Sequence, residues 1–167
     1  MSAAPETLNI RRFVPGDEAG VRDVIIPIQT VEFGVPITYE DQPDLTDIPG
    51  FYQRGSGDFW VAEAQGGIVG TISLLDIGSG AAALRKMFVA EDWRGRDKGV
   101  AQRLLDTLLE HAAAEGLNTV YLGTTDLFHA AHRFYEKNGF QLCATDTLPA
   151  SFPRMSVDTR FYRLDLG

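Results

Sequence analysis

The sequence predicts one α/β domain: a mixed sheet with parallel strands at its centre and helices on both faces. Three features of the pattern lead there. Residues 82–122 read as strand, helix, strand; residues 58–75 read as a β-hairpin; and two further strands close the chain. The 167 residues, 44% of them hydrophobic, suit a single domain over 1–167 with a real core.

The elements follow in order. Residues 8–13 form an opening strand, and Pro15-Gly16-Asp17 breaks it, with Asp17 available as an N-cap. Val21, Val24, Ile25 and Ile28 then recur at helical spacing, and Pro27 must kink or end that helix early. Pro36, Pro43 and Pro49 leave room only for short helical turns. The runs 58–64 and 68–75 flank Gln65-Gly66-Gly67, a short turn that makes them a hairpin. After a strand at 82–89 and a loop at 91–98 comes a long helix. Its buried stripe is Ala101, Leu104, Leu105, Leu108, Leu109 and Ala112, and Gly116 stops it. A strand at 119–122 completes a right-handed parallel crossover. A second helix at 127–137 stops at Asn138-Gly139, and strands at 140–145 and 159–166 enclose a Pro-bearing loop, 148–157.

Composition excludes several classes. No run approaches the roughly 20 apolar residues of a bilayer span, and no basic-then-apolar export signal opens the chain. No membrane partner and a cytoplasmic location are therefore expected. Cys143 is the one cysteine, which rules out an internal disulfide and a multi-cysteine metal cage. The balance of 23 acidic against 15 basic residues, a net charge of -8, disfavours nucleic acid. Residues 1–83 hold 12 acids and 4 bases, whereas residues 84–167 hold 11 of each. Arg85, Lys86, Arg94, Arg96, Lys98 and Arg103 crowd together in that second half and mark a local anion site.

Residues 94–101 join a strand to the N-terminus of the long helix. A first helical turn leaves backbone N–H groups unpaired, its dipole favours negative charge, and glycine lets a phosphate approach the main chain. Neither GxxxxGK[ST] nor GxGxxG occurs, so neither nucleotide-loop class applies. Arg96-Asp97-Lys98-Gly99-Val100-Ala101 resembles the Q/R-x-x-G-x-G/A signature of the GCN5-related N-acetyltransferases, the GNAT family. Residues 84–89 (LRKMFV) resemble that family's central strand. Residues 129–140 (HAAHRFYEKNGF) resemble its late helix ending in Tyr-x-x-x-Gly-Phe. The order of elements agrees along nearly the whole chain.

The resemblance implies transfer of an acetyl group from acetyl-CoA to a primary amine by direct attack, with no metal required. By motif position Arg96, Lys98, Gly99, Val100 and Ala101 would hold the diphosphate. Arg94 and Gly95 lengthen the loop relative to the commoner family pattern and join that set. The family's central strand pairs through its backbone with the pantetheine arm, which makes Met87, Phe88 and Val89 expected contacts. Its main-chain N–H groups would also stabilise the tetrahedral oxyanion. Phe128 stands where many members carry an asparagine; with Phe134 it would line the arm or pack in the core. Tyr135 matches the tyrosine that protonates the departing thiolate. A phenol, with a pKa of about 10, keeps its proton at neutral pH. The alternative is an aromatic core pair with Phe134. His129 and His132 are spaced for a metal pair, but no third ligand is indicated.

The base that takes the amine proton differs among family members. Glu32 lies where the family's substrate-facing helix and loop occur, with Asp76 and Asp126 as rivals; positioning alone is a further route to rate. Glu40, Asp41, Asp44 and Asp47, around Tyr39 and Phe51, would draw a cationic amine or serve only solubility. The expected acceptor is a small-molecule or peptide amine. A homodimer is admitted by family analogy, and the 148–157 loop would close over the acceptor or meet a second subunit. Transfer of another acyl group from its CoA thioester, or a non-catalytic CoA-binding regulatory module on the same fold, are the alternatives.

Overall fold

A computed structural model describes residues 8–95, 97–126, 128–155 and 158–166. The elements run β1 (Asn9–Arg12), α1 (Glu18–Pro27), α2 (Pro43–Thr46), α3 (Ile48–Phe51), β2 (Asp58–Ala64), β3 (Gly67–Gly78) and β4 (Ala81–Val89). They continue with α4 (Val100–Ala114), β5 (Thr119–Thr124), α5 (His129–Lys137), β6 (Gln141–Cys143) and β7 (Arg160–Asp165). Seven strands join one sheet in the order β1-β2-β3-β4-β5-β7-β6, antiparallel everywhere except between β4 and β5. The mixed sheet, its parallel centre and the crossover through α4 are those the pattern predicts. Among the described residues no helix is long and apolar enough to cross a membrane.

Alternation along β2 shows why both faces are covered. Trp60, Ala62 and Ala64 join the cluster that holds Leu104, Leu105 and Leu108 of α4 and Tyr135 of α5. Phe59 and Val61 point the other way, into a cluster with Val21 and Ile25 of α1, Leu45 of α2 and Ile48 of α3. The three α4 leucines are fully buried, a burial that stabilises the fold by about 1.5–3 kcal/mol each. Gly70 on β3 lets the first turn of α4 settle closely. A Cβ there would lie 3.1 Å from Leu104 Cδ1 and 3.3 Å from Val100 Cγ1. The loop before α4 is thereby held against the sheet.

Two local details depart from the sequence reading. Asp17 begins α1 through its carbonyl, which accepts from Val21 N–H at 3.0 Å. Its carboxylate caps no helical N–H, because Arg11 of β1 takes it at 2.8 and 3.0 Å and Val14 N–H donates to it at 2.9 Å. Pro27 ends α1, but the chain continues as a wider π turn, Ile28–Glu32, closed by Phe33 N–H donating to Ile28 O at 3.1 Å. A proline without an N–H cannot extend the α-helical ladder, and the wider turn accommodates the missing bond.

Leu108→Ala should remove about 2–5 kcal/mol of unfolding free energy, seen in urea as a lower midpoint with an unchanged slope.

Candidate active site

The site begins where β4 and β5 stop pairing. Only Ala81, Ala82 and Ala83 register with Thr119, Val120 and Tyr121; beyond them β4 runs on to Val89 with no β5 partner. A bulge in β4 sharpens the divergence. Two steps along β3, from Thr71 to Ser73, span three along β4, from Phe88 to Arg85, and Lys86 takes a left-handed φ of 53°. The resulting cavity, about 1020 Å³, is walled by β4, the end of β5, α5, the loop before α4 and the π turn. Met87, Phe88 and Val89, expected to meet the pantetheine arm, line its β4 wall.

At one end lies the start of α4. Gly99 precedes it in the left-handed region, φ 71°, which a residue with a Cβ adopts at a cost. The first bond across the helix start is Arg103 N–H to Gly99 O at 3.0 Å. The N–H groups of Val100, Ala101 and Gln102 donate to no described carbonyl, as expected of an anion-binding helix start. Gly95 (φ 109°), Gly99 and Ala101 line the cavity, while the Val100 side chain is buried beneath. Lys98 reaches back over the Trp93 ring, 5.8 Å from its centroid. Arg96 lies outside the described residues.

Arg94 and Glu32, expected at the coenzyme and as the base, are partners in the fold. The Arg94 guanidinium donates to both Glu32 carboxylate oxygens, at 2.5 and 2.7 Å, and through Nε to Val89 O at 2.8 Å. The pair straps the π turn to the end of β4 across the cavity. Hydrogen bonding from Arg94, outweighing partial burial, holds the Glu32 carboxyl below its ordinary 4.5. A general base works best with a pKa near the operating pH, so this arrangement opposes that role. The rivals fare no better. Asp76 is lowered by N–H donation from Ser56 and Gly78, Asp126 is exposed, and neither lines the cavity.

Tyr135 is 4% exposed and borders the cavity. Its ring packs edge-on to Phe134 and Phe140 at 5.7 and 5.6 Å between centroids, the aromatic core contact of the packing reading. Its hydroxyl makes no hydrogen bond with a described residue, and burial pushes the phenol above its ordinary 10. Phe128 stacks edge-on against Phe33 of the strap at 4.6 Å and faces Phe88 at 6.5 Å, so with Phe134 it forms an aromatic wall. Both ring nitrogens of His132 are engaged, Nε2 with Thr125 O at 2.9 Å and Nδ1 with Arg160 at 3.0 Å.

The N-terminal acidic residues do not form an acceptor site. Glu40 and Asp41 are exposed, and Asp47 accepts Gly50 N–H at 3.1 Å to start α3. Asp44 is buried, accepting from the Tyr52 hydroxyl at 2.6 Å and facing Lys86 at 3.4 Å. None of the four lines the cavity. Arg85, Lys86 and Asp158 line it instead, together with Phe152, Pro153 and Met155 of the 148–157 loop. In the sequence the two cations fall within the coenzyme loop's positive run, and no local pattern marks Asp158. Consecutive strand residues normally point to opposite faces, and only the bulge turns both inward.

Residues 55–142 match the acetyltransferase (GNAT) domain family. A GNAT-family acetyltransferase from Staphylococcus aureus Mu50 is 36% identical, with a TM-score of 0.92 over 96% of this chain and 100% of that one. N-acetylaspartate synthetase of Danio rerio is 37% identical over 100 residues, which are 59% of this chain and 35% of that protein. The chain thus spans about a third of the length of the first curated relatives it matches. The PaiA N-acetyltransferase of Thermoplasma acidophilum, crystallised with coenzyme A, shares the fold at 15% identity, with a TM-score of 0.72 over 95% of this chain and 99% of that one. With signature, sheet topology and matches in agreement, the chain belongs to the GNAT acetyltransferase family.

Proposed function

We propose that this chain is an acetyl-CoA-dependent N-acetyltransferase acting on a small-molecule amine. The observation that carries this reading is the single cavity uniting three parts: the N–H groups at the start of α4, the unpaired edge of β4, and the buried Tyr135 hydroxyl. Anionic phosphate suits the first, an amide-bearing arm suits the second, and a proton donor beside a leaving thiolate is the use that suits the third.

The chemistry follows from these placements. The loop around Gly99, with Lys98 and, by motif position, Arg96, binds the diphosphate. Main-chain N–H groups of residues 87–89 orient the thioester and meet the oxyanion that forms as a neutral amine attacks. Collapse breaks the carbon–sulfur bond, the Tyr135 O–H gives its proton to the sulfur, and the proton the nitrogen sheds as the amide forms returns through solvent to the phenolate. A buried phenol is a weaker acid than a solvated one, but a thiolate expelled into the same dry space has its own proton affinity raised, which keeps the two matched. Holding amine and thioester at attack distance supplies much of the rate. Glu32 and Arg94 serve as a strap that fixes the π turn and Phe33 over the aromatic wall.

Calorimetric titration of acetyl-CoA tests the reading directly. Binding to the unsubstituted protein, weakened about tenfold or more by Arg96→Ala with Lys98→Ala and by rising salt, is expected. No binding to the folded protein would overturn it. Tyr135→Phe should keep the ring packing and the acetyl-CoA affinity while kcat falls on the order of 10²-fold. Unchanged turnover would remove Tyr135 as the acid.

Glu32→Gln separates strap from base. As a strap, Glu32 leaves the neutral-pH limb of the rate profile in place, whereas loss of a base would flatten it and cost about 10²-fold. Its folded pKa is depressed, so the stabilisation is complete above the ordinary 4.5 and fades as pH falls through the lower folded value. The Gln variant should lose that acid-range slope in stability measured against pH.

A further inference from the structure

The bulge in β4 puts two largely buried cations on the cavity wall. Arg85 and Lys86 have side chains only 13% and 8% exposed, and both turn toward Asp44, at 3.9 and 3.4 Å. That carboxylate, 5% exposed, stands behind the pair outside the cavity lining and is shared with the Tyr52 hydroxyl at 2.6 Å. One carboxylate therefore serves two cations.

Both cations line the cavity. Lys86 Nζ donates to Gln42 Oε1 at 2.8 Å. That amide is itself fixed by reciprocal bonds with Gln29, at 2.9 and 3.1 Å, and by Thr38 O at 3.0 Å. The ammonium is thus held in place by a rigid neutral partner. The Arg85 guanidinium donates to no oxygen of a described residue. Its recorded neighbours besides Asp44 are Met155 Sδ at 3.5 Å and the face of Phe51, 5.6 Å from the ring centroid. A guanidinium offers five N–H donors, and those of Arg85 that meet no protein oxygen are open to solvent, so an oxyanion entering the cavity can take them.

A carboxylate of the opposite character borders the same space. Asp158, on the segment leading into β7, lines the cavity and accepts Met155 N–H at 3.1 Å. It forms no ion pair among the described residues, although the charges of Arg85, Lys86 and Arg154 reach it. Burial raises its carboxyl above the ordinary 3.8 against the opposing pull of those three cations. Positive and negative groups thus border one pocket without being paired to each other.

We infer that the acceptor carries a carboxylate close to its amine, as an amino acid does, with Arg85 and Lys86 holding the carboxylate and Asp158 receiving the ammonium. This rests on the transferase reading above and names the substrate class of the same site. A polyamine offers nothing to the two cations, and an amino-acid amide loses the charge that the guanidinium and ammonium would meet.

Amine-dependent thiol release with saturating acetyl-CoA tests it, using the twenty L-amino acids, their carboxamides and spermidine. The unsubstituted protein should acetylate an amino acid with a KM about tenfold or more below that of the matched amide. Lys86→Met and Arg85→Gln should raise KM for the acid, collapse the acid-to-amide ratio toward one, and leave acetyl-CoA affinity by calorimetry unchanged. The matched-pair comparison needs only the unsubstituted chain and stands even where a variant fails to fold. Equal or better use of amides or spermidine, or acetyl-CoA binding with no amino acid accepted, would overturn the inference and leave the donor assignment intact. Failure to bind acetyl-CoA would overturn the transferase reading and this inference with it.

Discussion

Everything at the site depends on two parallel strands that pair for only three residues. A strand edge left open in a protein interior is costly, because its N–H and C=O groups need partners. Past Ala83, β4 has β3 on one side and the cavity on the other. That edge can be satisfied by an extended, amide-bearing arm lying along it, which is how a sheet recognises a linear ligand by strand addition. The same divergence leaves room between β4 and α5 for Tyr135 to reach the cavity from a helix otherwise committed to packing. In the proposed function, donor recognition and proton delivery therefore share one structural cause.

The bulge is the second consequence of that irregular strand. One extra residue on β4, with Lys86 in a left-handed conformation, turns consecutive side chains toward the same carboxylate. A regular strand would have sent one of them to the far face. Thr71 and Ser73 hold the distorted backbone by donating their hydroxyls to Lys86 O and Arg85 O, both at 2.7 Å. These two buried polar residues on β3 are thus explained by the irregularity of their neighbour. Charge is sorted by the same architecture: the chain is net acidic, but acids such as Glu40 and Asp41 face water while cations collect on the cavity wall.

Much of the scaffold was legible because it obeys simple periods. The leucine stripe of α4, the hairpin of β2 and β3, and the crossover between β4 and β5 each follow from local pattern. The helix-start loop was legible from glycine, base and position together. What escaped was long-range. Glu32 and Arg94 are 62 residues apart, and no local signal says that each is the other's partner. Asp44 belongs in sequence to an acidic run that looks solvated, yet it is the one member of that run buried against two cations. Asp158 falls between the Pro-bearing loop 148–157 and the strand after it, where no local pattern marks it. In each case the deciding fact is which side chain the sheet brings opposite, and that is set by register and bulge, not by composition.

Such a site works against stability. Buried ion pairs and incompletely partnered polar groups often give way to apolar residues with no loss of stability, and sometimes a gain. Arg85 has Phe51 and Met155 close by as well as Asp44, so an aliphatic residue there would find apolar neighbours to pack on. The fold instead keeps a guanidinium, an ammonium held by a paired glutamine, and a carboxylate whose pKa burial raises. Nothing in the packing of the core requires these groups to face a cavity, since the aromatic and leucine clusters close without them. Their charge is therefore better understood as matched to something that enters. The arrangement, two cations on one strand and an anion from the segment before β7, is the negative image of a small molecule that carries both charges itself.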